Sequence, residues 1–262
     1  MPMPKLKLKL KQMRDGRTVA LYTLTLTLVA GAALLLSSGC AVWRVSQSAE
    51  LASRSQPFQQ LPAQPSLRLL VVGDSTAVGT GADTAAQSVA GLLAKDRPRL
   101  LIENRARDGD KFADVLAQLD PPGRFDIVLV QAGGNDIIRF TDMDSLRGTI
   151  DAVARRAAVL GDQVLLMPAG NVGNAPFFFA PWSWLMTRRA REMHTAVREV
   201  AQRRGASYVN LFHERGDDPF VRDPSLNAND GLHPSSAGYR VWFDQLVQQA
   251  GLDARLAADE PR

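Results

Sequence analysis

Cysteine is nearly missing from this 262-residue chain: Cys40 stands alone. No internal disulfide can form, so the encoded domain must be held by its apolar core. Histidine is almost as scarce. The three residues, His194, His213 and His233, are not grouped with cysteine at any ligand spacing, which argues against a structural zinc or other metal site. The first 40 positions lack acids except Asp15, yet hold Lys5, Lys7, Lys9, Lys11, Arg14 and Arg17. From totals of 31 basic and 27 acidic residues, 25 and 26 remain once that segment is set aside, turning a formal charge of +4 into −1. The basic pI of about 9.5 thus belongs to the N-terminal segment, and nucleic-acid binding loses its electrostatic basis. Internal repeats are also lacking. With 45% hydrophobic residues, the chain is long enough for one α/β domain with a full core.

Residues 1–40 read as a signal sequence or membrane anchor. The basic stretch leads into an uncharged run from Thr18 to Leu36, followed by Ser37, Ser38, Gly39 and Cys40. One reading is a bacterial lipoprotein signal, cleaved before Cys40 with lipid on its thiol, which the small residues before Cys40 favour. The other is a retained signal anchor, since roughly 19 residues approach the length that spans a bilayer. Ser37, standing where a lipobox usually has Leu, favours that second reading. Either places the domain on the extracytoplasmic side of a membrane, because the basic flank stays inside. Residues 41–66 are rich in Ser, Gln, Ala and Pro without sustained apolar periodicity, and read as a flexible tether. The folded domain is then 67–262.

Within it, short apolar runs alternate with longer amphipathic stretches. Strands are expected at Arg68–Gly73, Arg99–Glu103, Phe125–Gln131, Gln163–Met167 and Ser207–Leu211, with the Val, Ile and Leu content of strands covered on both faces. Helices are expected over Ala85–Lys95, around Phe112–Leu119, after an Asp144 cap, over Ser183–Arg204 and over Ser236–Ala250. Five repeats of this alternation imply a five-stranded parallel sheet between helical layers. Ligands of such sheets bind beyond the carboxyl ends of the strands.

Four turns fall at those ends. Val71-Val72-Gly73-Asp74-Ser75 runs a strand into a sharp turn that exposes a hydroxyl. Asp108-Gly109-Asp110 follows the second strand, and Gln131-Ala132-Gly133-Gly134-Asn135-Asp136 follows the third. Gly109 offers an unobstructed N–H and Asn135 an amide, both able to donate to a developing oxyanion. Asp230-Gly231-Leu232-His233-Pro234 precedes the last helix. A serine needs a base to attack at neutral pH, and the base needs a fixed tautomer, which an Asp three residues before a His can supply from one loop. Of the other histidines, His194 falls in a charged helical pattern and reads as a solvated surface residue, and His213 as a loop residue beside Glu214. Singly, each turn is an ordinary turn. Together they bring nucleophile, base, orienter and oxyanion donors to one edge.

The order Gly-Asp-Ser, isolated Gly, Gly-x-Asn-Asp, Asp-x-x-His resembles the SGNH hydrolase superfamily, also called GDSL esterases and lipases, over roughly Leu67 to Ala250. Thr76 stands where the GDSL name has Leu. The resemblance implies a flavodoxin-like three-layer α/β/α fold and ester hydrolysis without metal or organic cofactor. It also implies catalysis by Ser75, His233 and Asp230, with Ser75 N–H, Gly109 N–H and the Asn135 side chain forming an oxyanion hole. The expected function is a carboxylesterase or lipase-like enzyme of the cell envelope, acting on a small-molecule, lipid or glycan ester. A polysaccharide or cell-wall O-acetyl esterase is the enzymatic alternative, and a catalytically silent envelope binding protein the non-enzymatic one. The aromatic stretch holding Phe177, Phe178 and Trp182 after the fourth strand could line an acyl pocket or touch a membrane. Capping the sheet and packing the next helix is the equally good structural explanation.

Overall fold

The five short apolar runs between residues 67 and 211 each contribute a strand to one sheet. The computed structural model describes Tyr22, Leu24 and residues 43–95, 97–120 and 123–252. The chain divides into two units, Met1–Ser46 and Gln47–Arg262. Cys40 and nearly all of the apolar run Thr18–Leu36 lie outside the described residues; among those described, no helix is long and apolar enough to cross a membrane.

The second unit is built on β1 (Leu67–Gly73), β2 (Leu100–Asn104), β3 (Phe125–Gln131), β4 (Gly161–Leu166) and β5 (Ser207–Tyr208). All pair in parallel, in the order β2-β1-β3-β4-β5. This is the flavodoxin-like order, as expected from the family resemblance. Between the strands lie α1 (Ser75–Val78), α2 (Val89–Ala94), α3 (Phe112–Gln118), α4 (Gly134–Ile138), α5 (Met143–Leu160) and α6 (Trp182–Arg204). After β5 come α7 (Pro219–Arg222) and α8 (Ser236–Ala250). Helices α3, α5 and α6 pack side by side in one layer, and α2 packs with α8 in the other. The central strands β1 and β3 are covered on both faces: the successive residues Leu70 and Val71, and Val128 and Leu129, are buried, each such side chain contributing about 1.5–3 kcal/mol.

Three expectations are corrected. Residues 47–66 do not run free of the domain as a tether. Residues 47–54 are helical, Phe58 packs on the core, and Gln60 exchanges backbone hydrogen bonds with Ile102 at 3.0 and 2.8 Å, adding an antiparallel bridge at the β2 edge. One phenylalanine, backbone pairing and the side chains of Gln59 and Gln60 make these attachments, so no apolar periodicity betrays them. The cap of α5 is Asp142, which accepts from Ser145 N at 2.9 Å; Asp144 lies in the first turn. His194 is buried, not solvated. It belongs to the α6 stripe of Met186, Ala190, Met193, Val197 and Val200, spaced three and four apart, while Arg188, Arg191 and Arg198 occupy other faces.

Candidate active site

Strands β1 and β3 are neighbours that end together, Gly73 opposite Gln131. Successive connections leave this point in opposite directions, to β2 on one side and β4 on the other. Here the sheet forms a crevice at its carboxyl edge. Gly73 allows the closeness: a Cβ at that position would stand 1.9 Å from the Gln131 carbonyl oxygen, and its φ is +152°. The chain then turns through Asp74 into α1, leaving half-buried Ser75 as the first helical residue.

Asp74 is fully buried and acts as a tie. One oxygen accepts from Thr76 N (2.9 Å) and Thr76 Oγ1 (2.7 Å), the other from Gly133 N at 3.1 Å. Thr76, where the family name has Leu, thus spends its hydroxyl on Asp74. Burial pushes the Asp74 pKa up, against these hydrogen bonds. The turn after β2 is drawn in by Thr80 Oγ1, which donates to Asp108 at 2.6 Å. Gly109 sits there with φ +82°, and its N–H has no acceptor among the described residues. Asn135, in α4, gives one amide hydrogen to the Asp110 carbonyl at 3.1 Å. A carboxamide has two, so one is left for a ligand.

The last loop supplies the remaining pair. His233 Nδ1 lies 2.6 Å from Asp230 Oδ2, and His233 Nε2 lies 2.8 Å from Ser75 Oγ. Asp230 Oδ1 accepts from Leu232 N (2.9 Å) and His233 N (3.1 Å). Burial raises the Asp230 pKa, but the His233 hydrogen bond and charge, Leu232 N–H and the Ser48 hydroxyl together bring it down to about 2. The carboxylate is therefore ionised and can only accept. Nδ1 must carry its proton, and Nε2 is left to accept from the Ser75 hydroxyl.

The other sequence candidates scatter. Phe177 N donates to Gly231 O at 2.8 Å, placing the aromatic stretch beside the Asp230 loop. Phe178 is half-buried against the core. Trp182 is exposed and meets Phe140 edge-on, with ring centroids 6.4 Å apart; Phe140 follows α4, the helix of Asn135. The stretch thus runs along the same edge, from the Asp230 loop to α4. The His213 carbonyl accepts from Asn171 and Asn174. Sequence reasoning gave no role to Ser48, Gln118 or Thr80, none of which stands in a recognisable pattern. It saw Asp74 only as part of the serine turn.

Such a sheet, with serine, histidine and carboxylate joined at its switch point, defines the class: a hydrolase on a flavodoxin-like three-layer α/β/α fold. The sequence matches the GDSL-like lipase/acylhydrolase family over residues 71–241. The chain belongs to that family, within the SGNH hydrolases, and is an ester-bond hydrolase. No curated protein matches it. Among solved structures, an α/β hydrolase from the metagenome of Lake Arreo, Spain, has a TM-score of 0.56 at 22% identity, covering 72% of this chain and 96% of that one. An acetylxylan esterase from Geobacillus stearothermophilus gives 0.54 at 20%, covering 73% and 97%. An extracellular lipase from Streptomyces rimosus gives 0.55 at 18%, covering 70% and 100%. At these identities the likeness is one of fold.

Proposed function

We propose that the protein is a carboxylesterase of the cell envelope that works through an acyl-enzyme on Ser75. The observation that carries this reading is the continuous hydrogen-bonded chain Ser75 Oγ–His233–Asp230 at 2.8 and 2.6 Å. His233 Nε2 takes the Ser75 proton as Oγ attacks the ester carbonyl, and ionised Asp230 holds the ring and offsets the imidazolium charge. The carbonyl oxygen becomes an oxyanion facing the free N–H of Asn135 and the Gly109 and Ser75 amides. His233 then gives its proton to the departing alcohol. Water, deprotonated by His233 in turn, releases the acid and frees Ser75. General-base catalysis of this kind contributes about 10²–10⁴-fold and each oxyanion donor about 10²–10³-fold. The basic and apolar N-terminal segment supports export and membrane anchoring, by lipid on Cys40 or as a signal anchor.

The test is a small aryl ester assayed with Ser75→Ala and His233→Ala, plus labelling by a fluorophosphonate. Loss of more than a thousandfold in kcat and loss of labelling in Ser75→Ala are expected. An active Ser75→Ala variant would sink the proposal, and an unlabelled, inactive wild type would favour a silent binding protein.

One observation favours glycan O-acetyl groups as the ester cleaved. A cleft of about 870 Å³ adjoins the Asp230–His233 loop, lined in part by Arg54, Asp83, Asn227 and Asn229. That lining suits hydroxyl-rich ligands better than acyl tails, and one protein of the same fold is an acetylxylan esterase. Preference for acetylated oligosaccharide over longer aryl esters would support this reading; preference for medium acyl chains would support the lipase-like one.

A further inference from the structure

We propose that Ser48, in the segment ahead of the family domain, is a positioning residue of the active site that acts through Asp230. The inference rests on the reading of Ser75, His233 and Asp230 as a triad and extends it by one member. Ser48 Oγ donates to Asp230 Oδ2 at 2.7 Å, the same oxygen that receives His233 Nδ1. Ser48 lies outside residues 71–241, the stretch matching the family, so the family match itself does not include this contact.

The segment is held so as to deliver it. Gln59 brackets Asn104 at the end of β2, accepting from its N–H at 3.0 Å and donating to its carbonyl at 2.5 Å. Gln60 bridges to Ile102 beside it. From that anchorage at one sheet edge the preceding helical residues reach the Asp230 loop. Asp230 is almost fully buried, at 1% exposure, and Oδ1 is already occupied by two backbone N–H groups. Ser48 supplies the second donor on Oδ2, which would otherwise fall to water or stay empty.

Two effects follow. With both oxygens doubly bonded the carboxylate cannot swing, so the imidazole it orients stays aimed at Ser75. The second donor also draws charge from Oδ2, so removing it alters the field at the imidazole, and the acidic limb of the pH profile reads that change. Among the described residues, Asp74 after β1 acts on His233, and Tyr239 in α8 feels Asp230, Asp74 and Asp108, while Glu50 and Arg54 on the Ser48 helix pair with each other.

The experiment compares intact wild-type chain, Ser48→Ala, Ser48→Thr and Ser75→Ala on p-nitrophenyl acetate and butyrate across pH 5–9. For Ser48→Ala we expect kcat to fall roughly three- to thirtyfold with KM unchanged. The acidic limb of kcat/KM should move up by about half a pH unit, and the proton resonance of His233 Nδ1–H should shift. Ser48→Thr, which keeps the hydroxyl, should restore all three. Wild-type kcat and an unmoved acidic limb in Ser48→Ala would overturn the proposal. So would activity lost in proportion to stability with the limb and the Nδ1–H resonance unmoved, which marks a merely structural serine. Activity surviving in Ser75→Ala would instead overturn the triad reading beneath it.

Discussion

Gln118 holds Gly73 by both of its backbone groups: its Oε1 accepts from the Gly73 N–H at 2.7 Å and its Nε2 donates to the Gly73 carbonyl at 2.9 Å. The same Nε2 donates to Asp110 Oδ2 at 2.8 Å. One buried amide on α3 thus joins the turn before Ser75 to the turn carrying Gly109. Gln118→Leu has a similar volume but neither donor nor acceptor. It strands the buried Gly73 N–H, whereas the Gly73 carbonyl keeps Arg107 N at 3.1 Å. A loss of about 2–3 kcal/mol in unfolding free energy is expected, measured by urea denaturation. The kcat should drop about tenfold, because the serine and the Gly109 amide lose their common reference. A stable variant with wild-type kcat would show that these turns are placed by other contacts.

Asn135 separates catalysis from stability more cleanly. Its side chain is half-buried and makes one hydrogen bond, to the Asp110 carbonyl. Asn135→Ala should cost only about 1 kcal/mol of stability. If its second N–H faces the oxyanion, kcat falls by about 10²–10³-fold. Asn135→Asp should be worse than Ala despite its shape, since a carboxylate would meet the oxyanion. Steady-state kinetics on one aryl ester decides the order, and an Asp variant as active as wild type removes Asn135 from the oxyanion hole.

Most of the fold could be read from apolar runs, and most of the site from turns that end them. Strands β1 to β4 lie within two residues of where alternation puts them. β5, at the edge of the sheet, is shorter than its apolar run and pairs only through Ser207 and Tyr208. Val209, although buried, serves the core from beyond the last paired residue. The illegible parts are polar. Ser48, Gln59 and Gln60 attach residues 47–66 by hydrogen bonds from side chains that equally suit a solvated linker. Gln118 lies in an amphipathic helix where a glutamine invites no comment. Such residues act through distant partners, and local pattern carries no trace of the partner. His194 differs: the α6 spacing contained it, and the charges around it concealed it.

That buried histidine sets an acid-stability window. His194 Nε2 faces the Ala169 carbonyl at 2.8 Å, and Nδ1 faces Tyr208 Oη at 2.7 Å. A carbonyl only accepts, so Nε2 carries the proton of the neutral ring. Burial drives its pKa from 6.5 down to about 4. The folded state keeps His194 neutral while the unfolded chain protonates it below about 6.5. Stability from this group is complete above that pH and is lost as pH falls from 6.5 to 4, by up to roughly 3 kcal/mol. Asp230 adds a second, lower window: depressed to about 2, its contribution is lost only as pH falls from 3.8 towards 2. Melting temperature measured from pH 7 to 4 should decline in wild type. In His194→Gln it should start lower and decline less. An equally steep decline in that variant would assign the window to other groups.

The aromatic edge decides between acyl and glycan substrates, and the choice of residue matters. Phe178 is half-buried against the core, so Phe178→Ala would confound specificity with a packing loss of a few kcal/mol. Trp182 is 57% exposed and touches Phe140 edge-on, so Trp182→Ala should change stability by less than about 1 kcal/mol. Phe140 directly follows Arg139, the C-cap of α4, so a tail leaving the oxyanion hole towards α4 would meet this pair. If Trp182 contacts the acyl chain, the ratio of kcat/KM for octanoate over acetate should fall at least fivefold in Trp182→Ala, with acetate hydrolysis intact. Each buried methylene is worth about 0.8 kcal/mol, so losing contact with two of them already exceeds that factor. An unchanged ratio leaves Trp182 outside the acyl path, and the polar cleft lined by Asp83, Asn227 and Asn229 becomes the better guide to substrate.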